Sequence, residues 1–187
     1  GWPQGLERLA SADTPTRQNA AAELAKRAGT AEEMLLREMF SDPAPLVREI
    51  SLKTLRQHGG TQSLNQLIDL LSDPEPNVRA AVLKVFVESP PTDLIPRIIE
   101  YTKTETDPDL LVHAVRVLRD SQVPATLDAL TKLSKHESWR VRAEAAEGIG
   151  KVATRHSNDN DASRADAYAA LIALLDDTDG FVISRAV

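Results

Sequence analysis

Short amphipathic stretches recur along this chain, each with apolar residues three and four positions apart. The segments "EEMLLREMFS", "LNQLIDLLS", "LIPRIIEYTK", "ATLDALTKLS" and "AYAALIALLD" share that spacing, which gathers apolar side chains on one face of a helix. A polar turn and a second helical pattern follow each of them. In "VREISLKTL", Val47, Ile50, Ser51, Thr54 and Leu55 fall on one face. The pattern predicts a succession of helical hairpins.

The turns repeat as well. "SDPAPLVRE" at residues 41–49 returns as "SDPEPNVRA" at 72–80. Aligned on the arginine of that phrase, Arg17, Arg48 and Arg79 lie 31 residues apart, His113 follows after 34, Arg142 after 29 and Ile183 after 41. The preceding residue is Val47, Val78, Val112, Val141 or Val182, and six positions before the arginine column stand Asp42, Asp73, Asp107, His136 and Asp177. Three residues beyond it come Ala20, Ser51, Val82, Arg116, Ala145 and Ala186. A fixed period of this length is the mark of a repeat architecture, in which a lone hairpin cannot bury its apolar face and neighbours stack to do so. The expected organisation is one all-α domain over 1–187, a right-handed α-α superhelix with units near 1–29, 30–60, 61–91, 92–121, 122–156 and 163–187.

Punctuation agrees with this division. Pro45, Pro76 and Pro108 stand where a helix can begin without needing the missing N–H. Gly29 and Gly59 suit helix ends, and Thr30 with Glu33 matches a capping box for the next helix. Asp93 is expected to cap the helix that holds Pro96 in its first turn. Residues 155–166, "RHSNDNDASRAD", read as a solvated connection.

The Asp and the Arg or Lys six residues later, with the proline after the Asp, resemble the HEAT-repeat signature. Asp42 with Pro43 and Arg48, Asp73 with Pro74 and Arg79, and the second-helix stretch "VRAEAAEGIGKVA" carry the resemblance, close to the short bacterial HEAT-like repeats of the phycobilisome-lyase type. His113, His136 and Ile183 depart from it. The resemblance implies a structural ladder through Asp42, Arg48, Asp73, Arg79, Asp107 and Arg142, each arginine reaching its own aspartate and a neighbouring turn. On that basis Arg79→Ala is expected to cost more stability than Arg116→Ala. It also implies a scaffold whose second helices line a concave face that binds a protein partner or another domain of the same chain. Glu49, Lys53, Lys84, Trp139 and Glu147 are the candidate partner-binding residues, Trp139 as an aromatic anchor near a helix start or as a staple on its own turn.

Composition narrows the chemistry. With 42% apolar but only 4% aromatic residues, packed helices are favoured over a sandwich or barrel. A formal charge of −6 argues against nucleic acid as the partner. Arg48, Lys53, Arg56, Arg79, Lys84, Arg140, Arg142 and Lys151 do gather around second helices, as in HEAT-like DNA glycosylases, yet Glu49, Glu88, Glu144 and Glu147 intersperse them and predict a mixed-charge face. The absence of cysteine removes disulfides and thiolate metal sites. No apolar run approaches a membrane span, so a soluble segment of the cytoplasm or periplasm is expected, and a monomer.

Catalytic motifs do not carry through. "GIGKVA" at 148–153 imitates a dinucleotide fingerprint but follows a helical pattern rather than a strand, so it reads as a loosely wound helix end with glycines for close packing. His58, His113, His136 and His156 lack metal-ligand spacing, and His136–Glu137 has no second copy of the kind that holds two irons in deoxyhypusine hydroxylases. Neither "NDNDAS" nor "DDTDGF" keeps calcium-loop positions. No catalytic residue, metal or cofactor is expected; a nucleic-acid module and a lyase-like, bilin-handling enzyme are the alternatives. The last stretch, "FVISRAV", stops inside a second helix without a polar capping repeat, which predicts a piece of a longer multidomain protein.

Overall fold

The computed structural model describes residues 7–24, 38–57, 64–121, 123–155 and 162–187. Gly29, Gly59, the Thr30–Glu33 capping box, His58, His156 and positions 156–161 of the long connection lie outside the described residues. Two compact units emerge, residues 1–85 and 86–187. Among the described residues there are helices and turns and no strand.

In the first unit, α1 (Thr14–Leu24) packs on α2 (Pro45–Gln57), which also covers a 3-10 turn at Met39–Ser41. Ala21, Met39 and Val47 form the buried centre, ringed by Leu9, Ala44 and Ile50. Along α2, Val47, Ser51, Leu52, Thr54 and Leu55 are buried. Ser51 is accommodated because its Oγ donates to the Val47 carbonyl at 2.7 Å. The next first-type helix is short: α3 (Leu64–Leu67) tightens into a 3-10 stretch over Ile68–Ser72. Then α4 (Pro76–Glu88) begins at its proline and runs across the boundary between the units.

The second unit holds α5 (Ile95–Thr104), α6 (Pro108–Arg119), α7 (Ala125–Leu133), α8 (Trp139–Arg155), α9 (Ala162–Leu174) and α10 (Gly180–Ala186). Helix α8 contacts α6, α7, α9 and α10. Small residues make this possible: Ala143, Ala145, Ala146 and Gly148 are all buried on α8. A Cβ on Gly148 would lie 3.1 Å from Leu130 Cδ1 and 3.3 Å from Arg119 Cβ.

Three local expectations are corrected. Asp93 sits in a 3-10 turn, and the N-cap of α5 is Leu94, without a side-chain bond; Pro96 is tolerated in the first turn regardless. The Gly148–Ala153 stretch is not a loosely wound end, since α8 continues to Arg155. Of its two glycines only Gly148 serves close packing, for nothing lies within 4 Å of a Cβ on Gly150.

The third correction concerns register. By burial, Leu110, Ala114, Val115 and Leu118 of α6 occupy the columns of Val47, Ser51, Leu52 and Leu55 of α2. That alignment puts the buried Leu111, not the half-buried His113, in the arginine column, and sets Arg116 beside Lys53. Glu105 then takes the aspartate column. Its backbone (φ −72, ψ 136) matches Asp42 (−60, 136) and Asp73 (−61, 135), each just after a first-type helix or turn. Asp107 instead caps α6, accepting from the Asp109 N–H at 2.8 Å.

Candidate functional site

The repeated turns are joined by arginine forks. Arg48 donates from Nε (2.7 Å) and Nη2 (2.9 Å) to the two carboxylate oxygens of Asp73, one repeat on. Arg17 does the same to Asp42 (2.7 and 3.0 Å), and Arg142 to Asp177 (2.7 and 2.9 Å). The third nitrogen, Nη1, turns back to the carbonyl six residues earlier: Ser11 for Arg17, Asp42 for Arg48, Asp73 for Arg79 and His136 for Arg142. An arginine thus meets its own turn through a backbone oxygen and its neighbour's turn through a carboxylate, a bidentate geometry a lysine cannot copy. The aspartates are held in place first, because Asp42, Asp73 and Asp177 each accept the N–H two residues on, at 2.8, 3.0 and 2.9 Å.

Electrostatics follow the geometry. Burial works against ionisation of Asp42, but the bonds from Arg17 and the Ala44 N–H outweigh it and hold the carboxyl below its usual range. The Arg142 bond likewise lowers Asp177. Hydrogen bonding to their carboxylates raises Arg48 and Arg142.

One rung is built differently. Where Leu111 stands in the arginine column, the following turn carries His136 in the aspartate column. His136 Nδ1 accepts the Ser138 N–H at 3.0 Å, so it keeps the turn that an aspartate would make without bringing a carboxylate that no arginine meets.

A second network lies on the exposed ridge of α6, α8 and α10. Arg116 bonds Glu144 Oε1 from Nε (3.0 Å) and Nη2 (2.5 Å). Arg119 Nη1 reaches Glu147 at 3.1 Å and Glu144 at 3.4 Å. Lys151 bonds Glu147 at 2.8 Å, and Arg185 of α10 bonds the same carboxylate. Toward one end Arg140 pairs with Asp109; toward the other Arg155 donates to the Arg119 carbonyl at 3.0 Å. Lys151 is the largest influence holding Glu147 below the usual carboxylate range.

This ridge joins two of the expected binding residues. Trp139 opens α8, and its ring meets Phe181 of α10 edge-on with centroids 5.7 Å apart; the two residues are 43% and 49% exposed. The Arg185 guanidinium lies over the Phe181 ring, 5.0 Å from its centroid, and continues to Glu147. Trp139 is therefore tied to the next hairpin through Phe181. In the first unit, Glu49 and Lys53 pair with each other on α2, and Lys84 is half-buried on α4 in the column of Lys53, Arg116 and Glu147. Arg116, Arg119, Phe181 and Arg185 are missing from the expected binding residues, and Glu144 enters the sequence reading only as part of a mixed-charge face. The missed signals are the near-even spacing restored by Glu105 and Leu111, and the column that Phe181 shares with the exposed Leu46.

Among the described residues no group of three or more His, Cys, Asp or Glu is placed to hold a metal ion. None of their helices is long and apolar enough to cross a membrane.

Stacked helical hairpins linked turn to turn define an α-α solenoid. The chain belongs to the HEAT-repeat family: the family model for HEAT repeats matches residues 3–87 and 95–187. Among solved structures it is similar to a designed armadillo repeat protein (16% identity, 100% of this chain and 97% of that one, TM-score 0.68). It is also similar to the complex of CpcE and CpcF of phycocyanin lyase from Nostoc sp. PCC7120 (17%, 97% and 73%, 0.67). A designed armadillo repeat protein in complex with the peptide (KR)4 is a further likeness (17%, 98% and 95%, 0.66). A search of curated proteins gives no match.

Proposed function

We propose that this chain is a non-catalytic scaffold that binds a protein partner, or another domain of the same chain, on the face made by its second helices. The observation that carries the reading is the network over α6, α8 and α10, in which ion pairs cross from helix to helix and end on the exposed Trp139 and Phe181 rings. Arginine and exposed aromatic side chains standing side by side are the residue types enriched in protein-binding patches. In the first unit, Lys53 on α2 and Lys84 on α4 share one column of the repeat, with Glu49 paired to Lys53. The likeness in fold to a designed repeat protein complexed with a peptide supports the reading.

Mixed charge on the ridge argues against a phosphate-backbone partner, which calls for an unbroken basic stripe. The test is selection of a displayed peptide library on the folded chain, followed by binding to Trp139→Ala and to an outer-face variant, Lys132→Glu. Ligands lost with Trp139→Ala and kept with Lys132→Glu support the proposal. Ligands that ignore Trp139→Ala, or a new visible absorbance on incubation with a linear tetrapyrrole, overturn it.

A further inference from the structure

The ridge network is short of negative charge. Four cations, Arg116, Arg119, Lys151 and Arg185, share two carboxylates, Glu144 and Glu147. Asp120 lies 3.8 Å from Arg119 Nε but is also 3.6 Å from Arg155, a fifth cation, so the excess persists when both are included. Arg119 meets the two glutamates through Nη1 alone, its buried Nε having no hydrogen-bond acceptor. The cluster is open to approach, since the side chains of Arg116, Lys151 and Arg185 are each about two-fifths exposed. This excess sits on a chain whose formal charge is −6.

From these facts we infer that the α6–α8–α10 ridge captures an acidic peptide segment, whose carboxylate enters the Arg116–Arg119–Lys151–Arg185 cluster while an adjacent apolar side chain packs on Trp139 and Phe181. The inference rests on the scaffold reading and adds the partner's chemistry to it. Glu144 and Glu147 already accept from all four cations, and an incoming carboxylate adds the negative charge that two glutamates leave short among them. Phe181 links the two halves, its ring touching Trp139 and lying beneath Arg185, so the apolar and charged halves of the patch lie side by side. Glu144 and Glu147 act as internal competitors for the incoming anion. A peptide is favoured over nucleic acid because those same carboxylates interrupt the basic surface a phosphate backbone would follow.

The experiment is fluorescence anisotropy of a labelled peptide bearing adjacent glutamates and one leucine, against the same peptide with glutamines, at low and high salt. The acidic peptide is expected to bind about tenfold more tightly than its glutamine control, and more weakly as salt rises. Arg119→Gln and Lys151→Gln should each weaken it several-fold. Glu144→Gln should tighten it several-fold, a gain that unfolding cannot imitate. Preference for the glutamine control or for a lysine–arginine peptide, or weakening by Glu144→Gln, overturns the acidic-partner inference and leaves the scaffold reading standing. Duplex DNA binding more tightly than the acidic peptide, with the same sensitivity to Arg119→Gln, overturns it in favour of a phosphate partner. If selected peptides bind but none responds to any second-helix substitution, Trp139→Ala included, both readings fall.

Discussion

Arg48 and Asp73 meet through two parallel N–H···O bonds, while the same guanidinium donates at 2.7 Å to the carbonyl of Asp42. One side chain thereby fixes its own turn against the turn of the next repeat. Arg48→Ala leaves the Asp73 side chain, only 5% exposed, with its charge unmatched. The expected loss is about 2–3 kcal/mol, more than an exposed pair is worth. Arg48→Lys, which keeps the charge but not the fork, should cost about 1–2 kcal/mol. Arg116→Ala breaks a half-exposed pair and should cost about 0.2–1 kcal/mol. The expectation that Arg79→Ala outweighs Arg116→Ala is retained, now because Arg79 also serves the Asp73 and Pro74 carbonyls. Urea denaturation of the variants checks the order; equal midpoints for Arg48→Ala and Arg116→Ala would contradict it.

The Leu111 and His136 pair offers a rung that can be rebuilt. His136→Asp alone adds a carboxylate to a turn whose arginine column holds leucine, and Leu111→Arg alone exchanges a residue buried to 1% exposure for an uncompensated guanidinium. Each single substitution should destabilise the protein. Together they recreate the arrangement of Arg142 with Asp177, so the double variant should be more stable than the two losses predict, with a coupling of about 1–3 kcal/mol. A double-mutant cycle measures that coupling directly. Strict additivity would show that the register assigned to α6 is wrong.

Acid should loosen the ladder from its aspartates. Asp42 and Asp177 ionise more readily folded than unfolded, so below the ordinary aspartate value of about 3.9 the unfolded chain binds protons that the folded chain still excludes. Their contribution is therefore present in full above that pH and drains away as pH falls toward the folded values. Asp177→Asn removes this dependence at one site. The melting-temperature gap between wild type and Asp177→Asn should be widest near neutrality and should close as the pH drops from about 5 to about 2. A gap that stays constant on acidification would separate Asp177 from the acid sensitivity.

Period and composition made the hairpins readable, because burial on one helix face imposes spacing that survives substitution. Asp42, Arg48, Asp73 and Arg142 were legible for the same reason. Register in the fourth repeat was less so. The sequence Asp107-Pro108 imitates Asp42-Pro43, but the helix starts at Pro108 itself, and Glu105 holds the matching backbone conformation. A glutamate with one extra methylene can make the turn's bond to the N–H two residues on, at 2.9 Å to Asp107, without looking like the motif. The ridge was half legible: Trp139 and Glu147 stood out singly, whereas Phe181 and Arg185 matter through partners on other helices, which no local pattern records.

Two glycines two residues apart, on opposite sides of α8, should respond differently to one methyl group. At Gly150 a Cβ meets nothing within 4 Å, so Gly150→Ala should gain the helix-interior preference for alanine, about 0.5–1 kcal/mol. At Gly148 the same methyl lies 3.1 Å from Leu130 Cδ1 and 3.3 Å from Arg119 Cβ. The leucine methyl can rotate away, but the Arg119 Cβ is fixed to the backbone of α6. Gly148→Ala must therefore move α6 from α8, which strains the bonds of Arg119 to Glu144 and Glu147. The helix preference is then offset or reversed, and the variant should be no more stable than wild type, about 0–2 kcal/mol worse. Thermal melts of both variants test the contrast, and an equal gain at both positions would show that α6 and α8 are not held together at Gly148.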